Sequence, residues 1–160
     1  MRRQTLWKAI CAVTLALGTT ATNAEFIDDS NVQLKFKNFY LDRQYADLPQ
    51  NNWGSWSQGI TLDAKSGYQD IGAGIQVGAD LLVQHAFKLN GRDNNPDWVL
   101  PHEGPGKGQK DNFGKVGATL KAKVSQTELK VGELLPVSPV LVFDPSRQLL
   151  TTYSGAWLES

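Results

Sequence analysis

The sequence predicts an all-β fold made of the antiparallel strands of a transmembrane β-barrel, and three observations predict it. Apolar and polar residues alternate in runs of up to about ten, the period-2 signature of strands with one apolar face. The connections are long after odd-numbered strands and short after even-numbered ones, as in a barrel with short turns on one side of a membrane and long loops on the other. Aromatic residues gather near the ends of the runs, where a bilayer places its interfaces.

The chain opens on a segment that belongs to export rather than to the fold. Arg2, Arg3 and Lys8 form a basic start, Ala9 to Leu17 an apolar core, and Thr22-Asn23-Ala24 a small-residue cleavage site. An apolar core of about nine residues is far short of the roughly 20 of a spanning helix, so residues 1–24 read as a cleaved signal peptide and the mature chain as beginning near Glu25. The single cysteine, Cys11, lies inside that segment, and Ile10 before it is too bulky for a lipoprotein site. The mature chain then has no disulfide, thiol nucleophile or thiolate ligand. Its 13 basic and 16 acidic residues give a formal charge of −3, a poor match for nucleic acid.

The strands follow in order. Val32, Leu34 and Phe36 alternate with Gln33, Lys35 and Lys37; Ile60, Leu62 and Ala64 alternate with Thr61, Asp63 and Lys65. A third run sets Ile71, Ala73, Ile75, Val77 and Ala79 against Gly72, Gly74, Gln76, Gly78 and Asp80. The fourth sets Val116 to Val124 at even positions against Lys115, Gly117, Thr119, Lys121 and Lys123, the fifth has Leu129 and Val131 against Glu128, Lys130 and Gly132, and a sixth starts near Thr152. Between them lie Leu41–Asn52, the tight Ser66–Asp70, the polar Gln84–Asn112 and the short Ser125–Thr127. Phe39, Tyr40, Trp53, Trp56, Tyr68 and Phe113 stand where interfacial girdles would be.

With apolar residues facing lipid, the alternate positions face water and can be counted. Lys35, Lys37, Lys65, Lys115, Lys121, Lys123 and Lys130 point inward by parity, against Asp63, Asp80 and Glu128. In a narrow, low-dielectric wall such an excess attracts anions. The same lysines could instead solvate the wall and pair with acids from neighbouring strands. The segment Leu134–Leu150 differs from the other loops: Pro136, Pro139 and Pro145 flank the apolar Val140-Leu141-Val142-Phe143. Such a loop is expected to fold against the protein rather than lie in solvent.

Enzymatic readings find little support. His85 and His102 fall in or beside the long loop with no carboxylate or cysteine at ligand spacing, so no metal site is expected. Ser55-Trp56-Ser57-Gln58-Gly59 lacks the first glycine of a nucleophile elbow. Gly72, Gly74 and Gly78 miss the dinucleotide fingerprint, and are read instead as small residues giving room on the water-facing side. Gly104–Gly108 lacks the spacing and the hydroxyl residue of a phosphate loop.

Phe26-Ile27-Asp28-Asp29-Ser30, Asn38-Phe39-Tyr40, Trp56-Ser57-Gln58-Gly59 and Ser66-Gly67-Tyr68 resemble the opening of the OprD family of outer-membrane porins. Gly117 to Ser125, Thr127 to Gly132, Leu135-Pro136 and Pro139-Val140-Leu141 continue the resemblance in the same order. The resemblance implies an eighteen-stranded barrel in the outer membrane of a Gram-negative cell, of which residues 25–160 supply the five to six N-terminal strands. It also implies a substrate-selective channel for passive diffusion of small carboxylate-bearing solutes such as amino acids and organic acids. Outer-membrane lipid surrounds such a channel; no enzymatic activity and no cofactor are expected, and the oligomeric state is left open. By the same resemblance the loop at about 135–151 bends inward to narrow the pore, with Asp144, Ser146 and Arg147 at the constriction; the Asp-Pro-Ser-Arg here differs from the family's Asp-Ser-Arg by one residue. The readings set against this are a soluble periplasmic β-sandwich binding through its tryptophans and an outer-membrane barrel enzyme.

Overall fold

The computed structural model describes residues 28–47, 53–91, 99–105, 107–138 and 140–160; the segment read as a signal peptide, with Cys11, lies outside them. Seven strands form one sheet: β1 (Asn31–Arg43), β2 (Trp53–Lys65), β3 (Gln69–Gly72), β4 (Ile75–Gly91), β5 (Asn112–Val124), β6 (Thr127–Leu134) and β7 (Tyr153–Glu159). Their order is β1-β2-β4-β5-β6-β7, with β3 beside β4, and every pairing is antiparallel. Apart from the short β3, which pairs with β4 alone, each strand pairs with the next along the chain. The 13-residue β1, β2 and β5 extend about 40 Å at roughly 3.3 Å per residue, enough to cross a hydrocarbon core at a tilt.

Register carries the alternation from strand to strand. Leu34 pairs with Leu62 and Phe36 with Ile60; Leu62 then faces Val83, Val83 faces Val116, and Leu120 faces Val131. One face of the sheet is thus a continuous apolar surface, and among the described residues nothing covers it: Phe36 is 66% exposed and Leu120 68%. A soluble sandwich would bury this face against a second sheet. Here the sheet is a single layer, and its small core lies on the opposite, polar face, where Ala86, Leu100 and Leu149 pack with Phe113 under the connecting loops. An apolar exterior with a polar, loop-covered interior is the arrangement a bilayer stabilises.

The third predicted strand is corrected. Its alternation runs straight through a hairpin, in which Gly72 pairs with Ile75 and the two-residue turn Ala73-Gly74 has φ of 56° and 73°. Both residues at positive φ match the twist of the flanking strands. A two-residue turn preserves parity, so the pattern gave no sign of reversal. Gly72 and Gly74 are used for backbone conformation, with nothing within 4 Å of where a side chain would be, and not to make room on the polar face. Gly78 does make such room, since a Cβ there would fall 2.6 Å from Cε of Lys121.

Ser66-Gly67-Tyr68 is correspondingly a kink and not a turn. Lys65 pairs with Asp80 and Gln69 with Val77, so three residues oppose two, and β3 continues β2 beyond the bulge. Ser66 satisfies the interrupted ladder: its N–H donates to the Ala79 carbonyl at 3.1 Å, and its Oγ accepts from Ala79 N–H at 2.8 Å. At its other end β4 runs to Gly91, so residues 84–91, expected in the polar loop, are strand, and His85 lies within it, paired with Ile60. The long–short alternation of connections survives these shifts, with short turns at 73–74 and 125–126 and long connections elsewhere.

The expected girdle is also revised. Tyr40 pairs with Trp56 on the apolar face, where Trp56 Nε1 donates to Asn38 Oδ1 at 3.1 Å, and Phe87 joins them by register. Phe39, paired with buried Ser57, has polar-face parity, Phe113 belongs to the core cluster, and Tyr68 lies beside Lys121 and Lys123. Trp53 pairs with Arg43, whose guanidinium stacks 4.6 Å from its ring.

Candidate functional site

The connection from β6 to β7 begins as a small hairpin. Val137 bridges Val142, Ser138 N–H donates to the Leu141 carbonyl at 2.9 Å, and Phe143 N–H to the Pro136 carbonyl at 3.2 Å. Its apolar tip is not what folds against the sheet: Val140 is 93% exposed, and Val142 too is exposed. The expectation that this tip drives inward folding is therefore corrected. The segment that lies down on the polar face is 144–150.

That segment starts with an Asx turn, in which Asp144 Oδ1 accepts from Ser146 N–H at 2.8 Å. The hydrogen bonds from Ser146, and then the positive charges of Arg147 and Lys37, hold the Asp144 carboxyl below its ordinary range. Arg147 Nε lies 3.9 Å from Asp144 Oδ2, an exposed pair that adds little to stability.

Beyond Arg147 the loop crosses four strands and is tied to each. On β1, Lys37 Nζ donates to the carbonyls of Pro145 at 2.7 Å and Arg147 at 2.6 Å, and Gln148 Nε2 donates to the Lys37 carbonyl at 2.7 Å. On β2, Ser57 Oγ donates to Gln148 Oε1 at 3.1 Å; Gly59 leaves the space that the Gln148 amide fills, since a Cβ there would overlap it. On β4, the Gln84 amide pairs with the Leu150 backbone, accepting from its N–H at 2.8 Å and donating to its carbonyl at 3.3 Å. On β5, Lys115 Nζ donates to the Leu150 carbonyl and to Thr152 Oγ1. Gln84 is 1% and Gln148 3% exposed, so both amides need these partners. The β4–β5 connection contributes from below: Gln148 N–H donates to the Val99 carbonyl at 3.3 Å, and Leu100 is buried beside Leu149. A cavity of ≈ 470 Å³ remains here, with Arg147, Lys115, His102 and Thr151 around the apolar Leu100 and Phe113.

All seven predicted lysines stand on the polar face, yet most are engaged. Asp63 lies 3.7 Å from Lys35 and 4.0 Å from Lys65, Asp80 2.8 Å from Lys121, and Glu128 2.9 Å from Lys130. Lys121 also donates to the Ser66 carbonyl at 2.7 Å, bracing the kink, and Lys123 lies 5.9 Å from the Tyr68 ring, whose hydroxyl donates to Glu128. Lys37 and Lys115 serve the loop. Of the positions assigned to the constriction, Asp144, Ser146 and Arg147 share one turn on top of the anchored segment.

Several of these residues were not singled out in the sequence. Gln84 and Gln148 belong to no motif, and a neutral amide leaves no trace in charge or periodicity; Ser57 stood in the quoted Trp56–Gly59 stretch with no role assigned to it. Val99-Leu100 and Leu149-Leu150, apolar pairs inside polar loops, were the readable signal. His85 packs its ring against Phe87, centroids 4.4 Å apart, and His102 bridges Gln109. Among the described residues no three of His, Cys, Asp and Glu are grouped to hold a metal.

Proteins of similar sequence and fold are known. A family model described as outer membrane porin, OprD family, matches residues 24–160. The porin-like protein GalP of Pseudomonas putida is 35% identical over 164 residues, spanning 100% of this chain and 39% of that protein. Porin D of Pseudomonas aeruginosa is 31% identical over 136 residues, 84% of this chain and 30% of its own length. The chain thus spans less than half the length of these relatives. Among solved structures, OccAB2 of Acinetobacter baumannii superposes with a TM-score of 0.76 at 41% identity, over 85% of this chain and 33% of that one. OpdK of Pseudomonas aeruginosa, solved with vanillate, superposes with a TM-score of 0.71 at 34% identity, over 82% of this chain and 32% of that one.

Proposed function

The chain belongs to the OprD family of outer-membrane porins, whose members are channels and not enzymes, and on that footing we propose that it carries the selective constriction of a channel for small carboxylate-bearing solutes. Diffusion through it is passive, with no cofactor and no covalent chemistry. The single observation that supports the reading is the path of residues 144–150, which cross the polar face of the sheet from β1 to β5 just beyond the turn of Asp144, Ser146 and Arg147.

The chemistry of that turn suits a carboxylate. The Arg147 guanidinium is half-exposed at the rim of the ≈ 470 Å³ cavity, and its planar fork can give a carboxylate two parallel hydrogen bonds in place of the long contact to Asp144. Exchange between an internal acid and a passing one keeps binding weak enough for release, as conduction requires. The structure of OpdK with vanillate, itself a carboxylate, supports the same class of solute for this chain. The match of the family model from residue 24 agrees with a mature chain beginning near Glu25, after export through a cleaved signal peptide.

The test is planar-bilayer recording and solute uptake with the full-length channel. Deleting residues 139–147 is expected to enlarge single-channel conductance and weaken discrimination between carboxylate and neutral solutes. Arg147→Ala is expected to reduce carboxylate uptake while conductance stays near normal. A deletion variant with unchanged conductance and selectivity would remove the loop from the constriction.

A further inference from the structure

We infer that Lys37 and Lys115 are positioning residues for the inward loop, their ammonium groups committed to its backbone and not to passing anions. Parity alone places both among the cations of the wall, and charge alone would give them to the solute. Their surroundings assign them otherwise. Lys37 Nζ sits between two loop carbonyls, those of Pro145 at 2.7 Å and Arg147 at 2.6 Å, so it holds the backbone of the residue whose guanidinium tops the turn. The Lys37 carbonyl in turn accepts from Gln148 at 2.7 Å, closing a reciprocal clamp between strand and loop. Lys115, three strands along the sheet, does the same for the returning limb through the Leu150 carbonyl and Thr152 Oγ1. Among the described residues, neither ammonium lies within 4 Å of a carboxylate, whereas Lys35, Lys65, Lys121 and Lys130 all do.

An ammonium has three donors and no acceptor, so it can gather several carbonyls at one point in a way that no neutral side chain of that length can. Hydrogen bonds from a charged donor are also the stronger kind. The two clamps bracket residues 145–150 at both ends, and Gln148 and Gln84 fill the span between them. The loop thereby has one seated position, and the wall gives up two mobile charges to obtain it.

This inference rests on the reading of the loop as the constriction, and its test separates the two. Single full-length channels carrying Lys37→Met or Lys115→Met keep the methylene stem and lose the donors; heat-modifiable gel mobility verifies that the barrel has formed. The expected result is frequent stepping to larger conductance levels, on the order of tenfold more often than in the wild type, the factor that 1.4 kcal/mol of lost clamping corresponds to. Lys37→Arg and Lys115→Arg, which keep charge and donors, should largely restore quiet traces. Quiet channels of normal conductance whose reversal potential in a salt gradient moves toward cations would show the lysines to be solute-facing charges and overturn the inference; so would traces indistinguishable from wild type. Should a Met variant fail to form a barrel, Lys37→Gln and Lys115→Gln decide in its place: their shorter neutral side chains lose the clamp, so frequent stepping at unchanged selectivity supports the inference, while wild-type traces refute it. If deleting residues 139–147 widens the pore but the lysine variants do nothing, this inference alone fails; if the deletion does nothing, the constriction reading fails with it.

Discussion

Gln84→Leu isolates the hydrogen bonds that seat the loop, because leucine fills nearly the same volume with no amide. In the wild type the Gln84 carbonyl is the acceptor for Leu150 N–H at 2.8 Å, while the Leu150 carbonyl has a second donor in Lys115. The substitution therefore strands one partly buried N–H and leaves the carbonyl satisfied. Leaving such a donor without a partner costs about 1–3 kcal/mol, so the seated loop should lose roughly that much. At tenfold per 1.4 kcal/mol, the unseated population rises roughly 5- to 140-fold. Amide hydrogen exchange on the folded channel reads this directly: a peptide covering residues 144–152 should exchange faster by that factor, while one within β2 stays unchanged. Wild-type exchange at residues 148–150 would refute the claim that Gln84 holds the loop.

Two further outcomes follow from the charges of the wall and turn. Lys121 and Asp80 form a mostly buried pair at 2.8 Å, with the two side chains 7% and 19% exposed, so Lys121→Met should leave an uncompensated carboxylate and destabilise the barrel by about 3–5 kcal/mol, seen as a lower temperature of heat modification, with Lys121→Met/Asp80→Leu recovering most of the loss. Asp144 has a carboxyl pulled below its ordinary range by Ser146 and then by the nearby cations, so its contribution to the turn is fully present above the ordinary aspartate value near pH ~3.9 and is lost only as pH falls through the lowered one; conductance noise should be flat from neutral pH down to about 5, rise in stronger acid, and lose that acid-dependent rise in Asp144→Asn.

The strands were legible because one face meets lipid and the other water, and a surface so divided must alternate. Val32, Leu34 and Phe36, or Val116 to Val124 at even positions, show the pattern without interruption, and the register joins them into one apolar face. The hairpin at Ala73-Gly74 was hidden by the same rule that revealed the strands, since a two-residue turn returns the chain on the same parity. Two glycines within three residues were the only local sign of it. That the connection from β6 to β7 differs from the other loops was legible in its prolines and apolar content, but what seats residues 144–150 on the polar face was not. Val140 stays exposed, and what holds the loop is a set of amide and ammonium groups reaching its backbone from β1, β4 and β5, with Ser57 on β2 bonded to the Gln148 side chain. Those contacts join residues more than 30 positions apart with no periodicity, so nothing in a linear reading of the sequence places Gln84 against Leu150 or Lys37 against Arg147.

The division of the sheet into a lipid face and a watered, loop-covered face is the claim on which all of this stands. Spin labels placed singly from Val116 to Val124 in the full-length protein, reconstituted in bilayers and probed with oxygen and a water-soluble paramagnetic chelate, test it most directly. The even positions, which include Leu120, are predicted to collide with oxygen, and the odd positions 117, 119, 121 and 123 with the chelate, in strict alternation. Equal accessibility of both sets, or protection of the even positions from lipid and water alike, would contradict it.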